Sequence, residues 1–139
     1  MKNIALVIGS FHKDLALEMV EEARATAKEV GVNIVDEVWV PGSVEKPLAL
    51  KRALSRNDID GAVALGIIER GETKHGMVMG QSLMHFVMQL MVDTGKPIGL
   101  GVLGPEILPD QIEPRVRPYA RKAVVAVASM LEGGIEDHE

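Results

Sequence analysis

The chain has 139 residues, 47% hydrophobic and 25% charged, the composition of a single globular domain that can bury a core without disulfide or metal staples. Its 15 Lys and Arg stand against 20 Asp and Glu, a formal charge of -5, so the basic footprint that nucleic-acid binding requires is missing, and the absence of cysteine excludes disulfides, thiolate nucleophiles and cysteine-ligated metals. The apolar runs are too short for a membrane span and the N-terminus lacks a signal-peptide layout, so the expected location is cytoplasmic.

Residues Asn3 to Ile8 (NIALVI) form an apolar run ending at Gly9, the pattern of a strand buried on both faces of a parallel sheet. From Asp14 to Val30 apolar residues recur at a helical period, and Gly31 follows as a C-cap. A second strand, Asn33 to Val40, is stopped by Pro41-Gly42, and a short helix spans Leu48 to Leu54 with Pro47 at its first turn. Gly61 to Ile68 (GAVALGII) reads as a third buried strand. The Met-rich stretch from Gly76 to Val92 is apolar around nearly its whole circumference, which implies a helix buried on two sides, one of them open to a neighbouring subunit. Pro97 to Leu103 (PIGLGVL) is a fourth strand, and a last amphipathic helix runs from about Tyr119 to Leu131. This alternation implies an α/β domain spanning residues 1–139, with a four-stranded parallel sheet between two helical layers.

Ligands of such sheets bind at the carboxyl ends of the strands, so four loops matter: Gly9 to Lys13, Pro41 to Pro47, Glu69 to His75 and Gly104 to Arg117. In the third, Gly71 permits close backbone approach, the following helix start offers free N–H groups and Thr73 adds a hydroxyl, a set that suits a phosphate. The same residues also read as an ordinary turn with Thr73 as N-cap, and it is His75, titrating near neutrality beside them, that favours chemistry. The second loop is stiffened by two prolines and a glycine; it either presents Ser43 and Glu45 to a hydroxyl- or amine-bearing ligand or is a plain connector. Phe11 stacks a planar heterocycle or staples a helix entry. In the basic segment from Pro114 to Lys122, Arg115 completes a phosphate site with Gly71 and Thr73, whereas Arg117, Arg121 and Lys122 read equally well as surface cations paired with Glu. His85, inside the third helix, reads as packed or interfacial. Dinucleotide, phosphate-loop, zinc-protease and serine-hydrolase motifs are absent, and neither a metal nor an organic cofactor is expected.

Phe11, the run Pro41 to Pro47 (PGSVEKP), the run Gly66 to His75 (GIIERGETKH), the strand Pro97 to Leu103 and the late Arg115 together resemble the 6,7-dimethyl-8-ribityllumazine synthases over nearly the whole chain. The Gly-Glu-Thr-Lys-His segment is the specific part. The resemblance implies a flavodoxin-like domain assembled into pentamers or multiples of pentamers, with active sites between subunits and no cofactor. It also implies the condensation of 5-amino-6-(D-ribitylamino)uracil with 3,4-dihydroxy-2-butanone 4-phosphate in riboflavin biosynthesis. Carried onto this chain, it has Phe11 stack on the pyrimidine, Ile67 and Ile68 contact it, and Ser43 and Glu45 hold the ribityl chain and amine. Gly71, Glu72 and Thr73 would bind the phosphate, Arg115 would neutralise it, and His75 would shuttle protons. Leu100 stands where a Phe from the neighbouring subunit commonly covers the ring; His12 and Glu69 also depart from the family pattern, replacing an Asn and an apolar residue. Two rival readings are an archaeal-type riboflavin synthase of the same fold and a non-catalytic flavin- or lumazine-binding shell protein.

Overall fold

In β1 (Lys2–Gly9) and β3 (Gly61–Glu69) the residues from Ile4 to Gly9 and from Gly61 to Ile68 are all buried, so neither face of either strand meets solvent. Strands of that kind need a layer on each side. The computed structural model, which describes residues 1–71 and 73–133, supplies both layers. β1 and β3 pair in parallel at the centre, flanked by β2 (Val32–Val40) and β4 (Ile98–Ile107) in the order β2-β1-β3-β4. On one face, α1 (Lys13–Val30) and α4 (Pro109–Leu131) set Met19, Val20, Val116 and Val124 against Ile4, Leu6, Ile8, Val63 and Leu65. On the other, α2 (Lys46–Leu54) and α3 (His75–Thr94) bring Leu50, Leu54, Leu83 and Val87 onto Ala5, Val7, Ala62 and Ala64. Period-two alternation thus sends the large side chains of the central strands one way and the smaller ones the other. The result is the expected three-layer α/β/α, flavodoxin-like arrangement with a four-stranded parallel sheet.

Most element boundaries fall within two residues of those read from the sequence. The last strand and helix do not. β4 continues to Ile107 and α4 starts at Pro109, so the stretch expected as a long loop is mostly strand and helix, with Pro114 and Pro118 inside α4. Burial of Ile112, Val116 and Ala120 at four-residue spacing carries the helix through both prolines. Gly99 lets α4 lie close to β4, since a Cβ there would collide with the backbone of Ala123. A second difference concerns α3. Within the chain only one side of it is covered, by way of Gly80, Leu83 and Val87, while Val78, Met84, Phe86, Met88 and Val92 are exposed. Among the described residues, no helix is long and apolar enough to cross a membrane.

Candidate functional site

The chain leaves β1 toward β2 on one side and later returns to place β3 on the other, so a crevice opens between the carboxyl ends of β1 and β3. Three segments meet there. The turn after β1 carries Phe11, a 3-10 turn after β2 (Ser43–Glu45) carries Ser43 and Glu45, and the segment after β3 carries Gly71 and Thr73 into α3. They enclose a cavity of about 360 Å³, within the range of small-molecule sites. Phe11, Ser43, Glu45, Ile67 and Ile68 line it, and so do Gly71, Thr73 and His75. Residues from three separate loops that were singled out by chemistry alone therefore share one cavity. Glu72 lies outside the described residues.

Phe11 is 56% exposed, its ring 4.4 Å from that of His12 and nearly edge-on to it, which leaves apolar surface at the mouth for a planar partner. His12 has a left-handed backbone (φ 57), and its Nε2 lies 2.7 Å from Glu69 Oε1, tying the turn after β1 to the end of β3. Two of the three departures from the family pattern, His12 and Glu69, are therefore one contact. The Arg70 side chain, 3.2 Å from Glu106, makes the next tie outward, from β3 to β4.

Thr73 is not the N-cap of α3. Lys74 occupies that position without a side-chain bond, and the Thr73 hydroxyl instead accepts from the His75 backbone N–H at 3.3 Å. His75 is the first helical residue and exposed, so its imidazole and the start of α3 adjoin the same part of the cavity. No acidic side chain occupies the first turn of α3, which keeps the positive end of the helix dipole available to an anion.

Leu100 and Arg115 do not line the cavity. Leu100 is half-buried in β4 against the cluster beneath α2 and α3. Arg115 lies on α4, in the opposite helical layer from α3, and donates to the Gln111 carbonyl at 2.9 Å. Of the set Arg115, Gly71 and Thr73, only Gly71 and Thr73 line the cavity, and Arg115 stands on the helix layer across the sheet from α3. Further along α4, Arg117 pairs with Glu18, Glu21 and Glu22, and Arg121 with Glu29, so these cations join α4 to α1. His85 is exposed, edge-on to Phe86 at 6.2 Å.

One residue escaped sequence reasoning. Lys46, at the start of α2, is 1% exposed, and its ammonium donates to Ser43 Oγ at 3.3 Å. Desolvation pushes the amine down to about 8, against the pull of the neighbouring Glu45 carboxylate. The available signal was indirect: a lysine three residues after a candidate site serine, a glycine closing the first strand and another inside the third.

Two further cavities bear on the site's surroundings. One of about 290 Å³ continues from Ser43, Val44 and His75 along α3 to Phe86. Another, about 430 Å³, lies between β2 and α2 beside Arg52 and Arg56 and contains almost none of the candidate residues.

The family model described as 6,7-dimethyl-8-ribityllumazine synthase matches residues 1–133. Among curated proteins bearing that name, one from Staphylothermus marinus is 40% identical over 94% of this chain and 87% of its own length. One from Methanopyrus kandleri is 39% identical over 92% of this chain and 90% of its own. A third, from Methanococcus maripaludis, is 36% identical over 95% and 96%.

Proposed function

The chain belongs to the 6,7-dimethyl-8-ribityllumazine synthase family, and on that premise we propose how its cavity carries the family's reaction. The chain is a transferase of riboflavin biosynthesis. It condenses 5-amino-6-(D-ribitylamino)uracil with 3,4-dihydroxy-2-butanone 4-phosphate to give 6,7-dimethyl-8-ribityllumazine, phosphate and water.

The observation that carries the residue roles is the convergence of Phe11, Ser43, Glu45, Thr73 and His75 on one cavity at the β1/β3 crevice. The uracil ring lies against Phe11, with Ile67 and Ile68 forming the apolar wall. Ser43 and Glu45 take the ribityl hydroxyls and the amine. The phosphate sits at the start of α3, against the backbone of Gly71 and the Thr73 hydroxyl. His75, next to that phosphate, removes and returns protons as the amine attacks the ketone, as phosphate leaves and as the second ring closes. Holding the two substrates together supplies most of the remaining acceleration, since good mutual orientation lowers such barriers by roughly 7–11 kcal/mol.

Arg115 and Leu100 complete the site from an adjacent copy, in a pentamer or a multiple of pentamers. The exposed Val44, Leu48, Val78, Met84, Phe86 and Met88 support that assembly, because a soluble monomer seldom leaves so many large apolar side chains on one side. The rival riboflavin synthase reading is not favoured, as the relatives named above carry the lumazine synthase name.

The test is a paired assay on the purified protein. Lumazine and phosphate forming together from the two substrates, with no riboflavin from lumazine alone, is the expected result; the reverse pattern would overturn the reading. His75→Ala should lower kcat by about 100-fold or more while the pyrimidine still binds, and unchanged turnover would remove His75 from the mechanism.

A further inference from the structure

We propose that Lys46 is a positioning residue of this cavity: its buried ammonium fixes the Ser43 hydroxyl as a hydrogen-bond donor into the site, which thereby selects a ligand presenting an acceptor oxygen to Ser43. The inference rests on the reading of the cavity as the pyrimidine site.

The geometry starts from the two glycines. A Cβ built on Gly9 or on Gly66 would stand 2.7 Å from Lys46 Nζ, so the ammonium occupies a hole that exists only because Gly9, at the end of β1, and Gly66, within β3, lack side chains. Gly9 leads into the turn bearing Phe11, and Gly66 precedes Ile67 and Ile68. Lys46 therefore lies directly behind the cavity wall, although it does not itself line the cavity. Ser43 is the link, since it is 7% exposed, lines the cavity and accepts the Lys46 bond.

An ammonium has three donors and no acceptor, so in this pair the serine oxygen accepts. The single hydroxyl hydrogen must then point elsewhere, and among the described residues the Ser43 hydroxyl donates to no protein acceptor. The open direction is the cavity. A carbonyl of the uracil ring or a ribityl oxygen satisfies that donor; a ligand offering only a donor there would leave two donors facing each other. An apolar side chain would fill the hole at lower desolvation cost but would leave the hydroxyl free to turn.

The charged group acting on the amine is Glu45, next to it in the chain, while β1 and β3 present Gly9 and Gly66. Burial lowers the amine to about 8. Above that pH, neutral Lys46 is able to accept from Ser43, which turns the donor away from the cavity.

The experiment measures equilibrium binding of 5-amino-6-(D-ribitylamino)uracil alone, then kcat and KM with both substrates, for the unaltered protein, Lys46→Met, Ser43→Ala and the double variant, from pH 6 to pH 9.5. Lys46→Met should weaken pyrimidine binding and raise its KM by roughly tenfold, with kcat changed by less than about twofold, as expected for one lost hydrogen bond. Ser43→Ala should produce a similar loss, and the double variant should be no weaker than either single one. Binding by the unaltered protein should weaken above pH 8, and that weakening should vanish in both single variants. Binding by folded Lys46→Met equal to that of the unaltered protein overturns the proposal, as does additivity in the double variant. Should Lys46→Met fail to fold, persistence of the alkaline limb in Ser43→Ala overturns it independently. No pyrimidine binding by the unaltered protein would instead overturn the reading of the cavity itself.

Discussion

Removing the Lys46 amine from water costs the folded state stability, and the pH dependence of that cost has a definite sign. Below pH 8 the amine is protonated in both the folded and unfolded chain, so the full cost is present. Between about 8 and its ordinary 10.5, the unfolded chain keeps the proton that the folded chain has lost, and stability rises with pH. A shift of 10.5 − 8 = 2.5 units corresponds to roughly 3 kcal/mol. Lys46→Met should therefore be more stable than the parent at pH 7, by about 1–3 kcal/mol, with the gap closing toward pH 10.5. Urea denaturation at pH 7, 8.5 and 10 measures it, and a variant less stable at pH 7 would show that the ammonium makes compensating bonds. The residues with chemistry at strand ends were legible, because position and residue type pointed the same way for Phe11, Ser43, Glu45, Thr73 and His75. Lys46 was not, since the hole that holds it is made by Gly9 and Gly66, which lie far apart in sequence and meet only through the strand pairing. The His12–Glu69 contact was hidden for the same reason: it joins the turn after β1 to the end of β3, 57 residues apart.

At the scale of elements, all four strands and all four helices were legible from apolar runs and periodicity, and the failure was confined to the end of the fourth strand and the start of the fourth helix, where local propensity describes the segment worst. Pro114 and Pro118 argue against a helix, yet α4 contains both. They lie on its exposed side, where the carbonyls that lose their intrahelical partners face water, while Val116 and Ala120 bury the opposite stripe. Tertiary packing therefore overrode propensity. Replacing Pro118 with Ala should restore a donor to the Pro114 carbonyl. The interior-proline penalty of about 3 kcal/mol, less about 1 kcal/mol for the freer unfolded chain, leaves a gain of about 2 kcal/mol and a higher melting temperature. Pro109→Ala, at the first turn, should gain nothing, because the N–H of that position has no intrahelical partner. A fall in stability on Pro118→Ala would mean that the proline sets the bend by which Val116 and Ala120 reach the core.

For the whole molecule, the distribution of the site over the sheet carries the argument. Gly71, Thr73 and His75 lie at the start of α3, whereas Arg115 is on α4 across the sheet and Leu100 is packed in β4 away from the cavity. If Arg115 serves the phosphate, the expected site is one in another copy. The uncovered apolar side of α3, with Met84, Phe86 and Met88 exposed, gives that copy a surface to pack on. A ring closed by head-to-tail contacts makes each site from two different subunits in a fixed order. Two variants, His75→Ala and Arg115→Ala, should each be nearly inactive alone, because each ring then carries one defect in every site. Unfolded, mixed in equal amounts and refolded together, they form rings by chance pairing. A site is intact when its His75 comes from an Arg115→Ala subunit and its Arg115 from a His75→Ala subunit, which happens for 1/2 × 1/2, about a quarter, of the contacts. The mixture should therefore regain about a quarter of the parent activity, while folded stocks mixed without exchange should regain none. Continued inactivity in refolded mixed rings would put His75 and Arg115 to work within a single chain, and α4 would then have to move relative to α3 when the substrate phosphate binds.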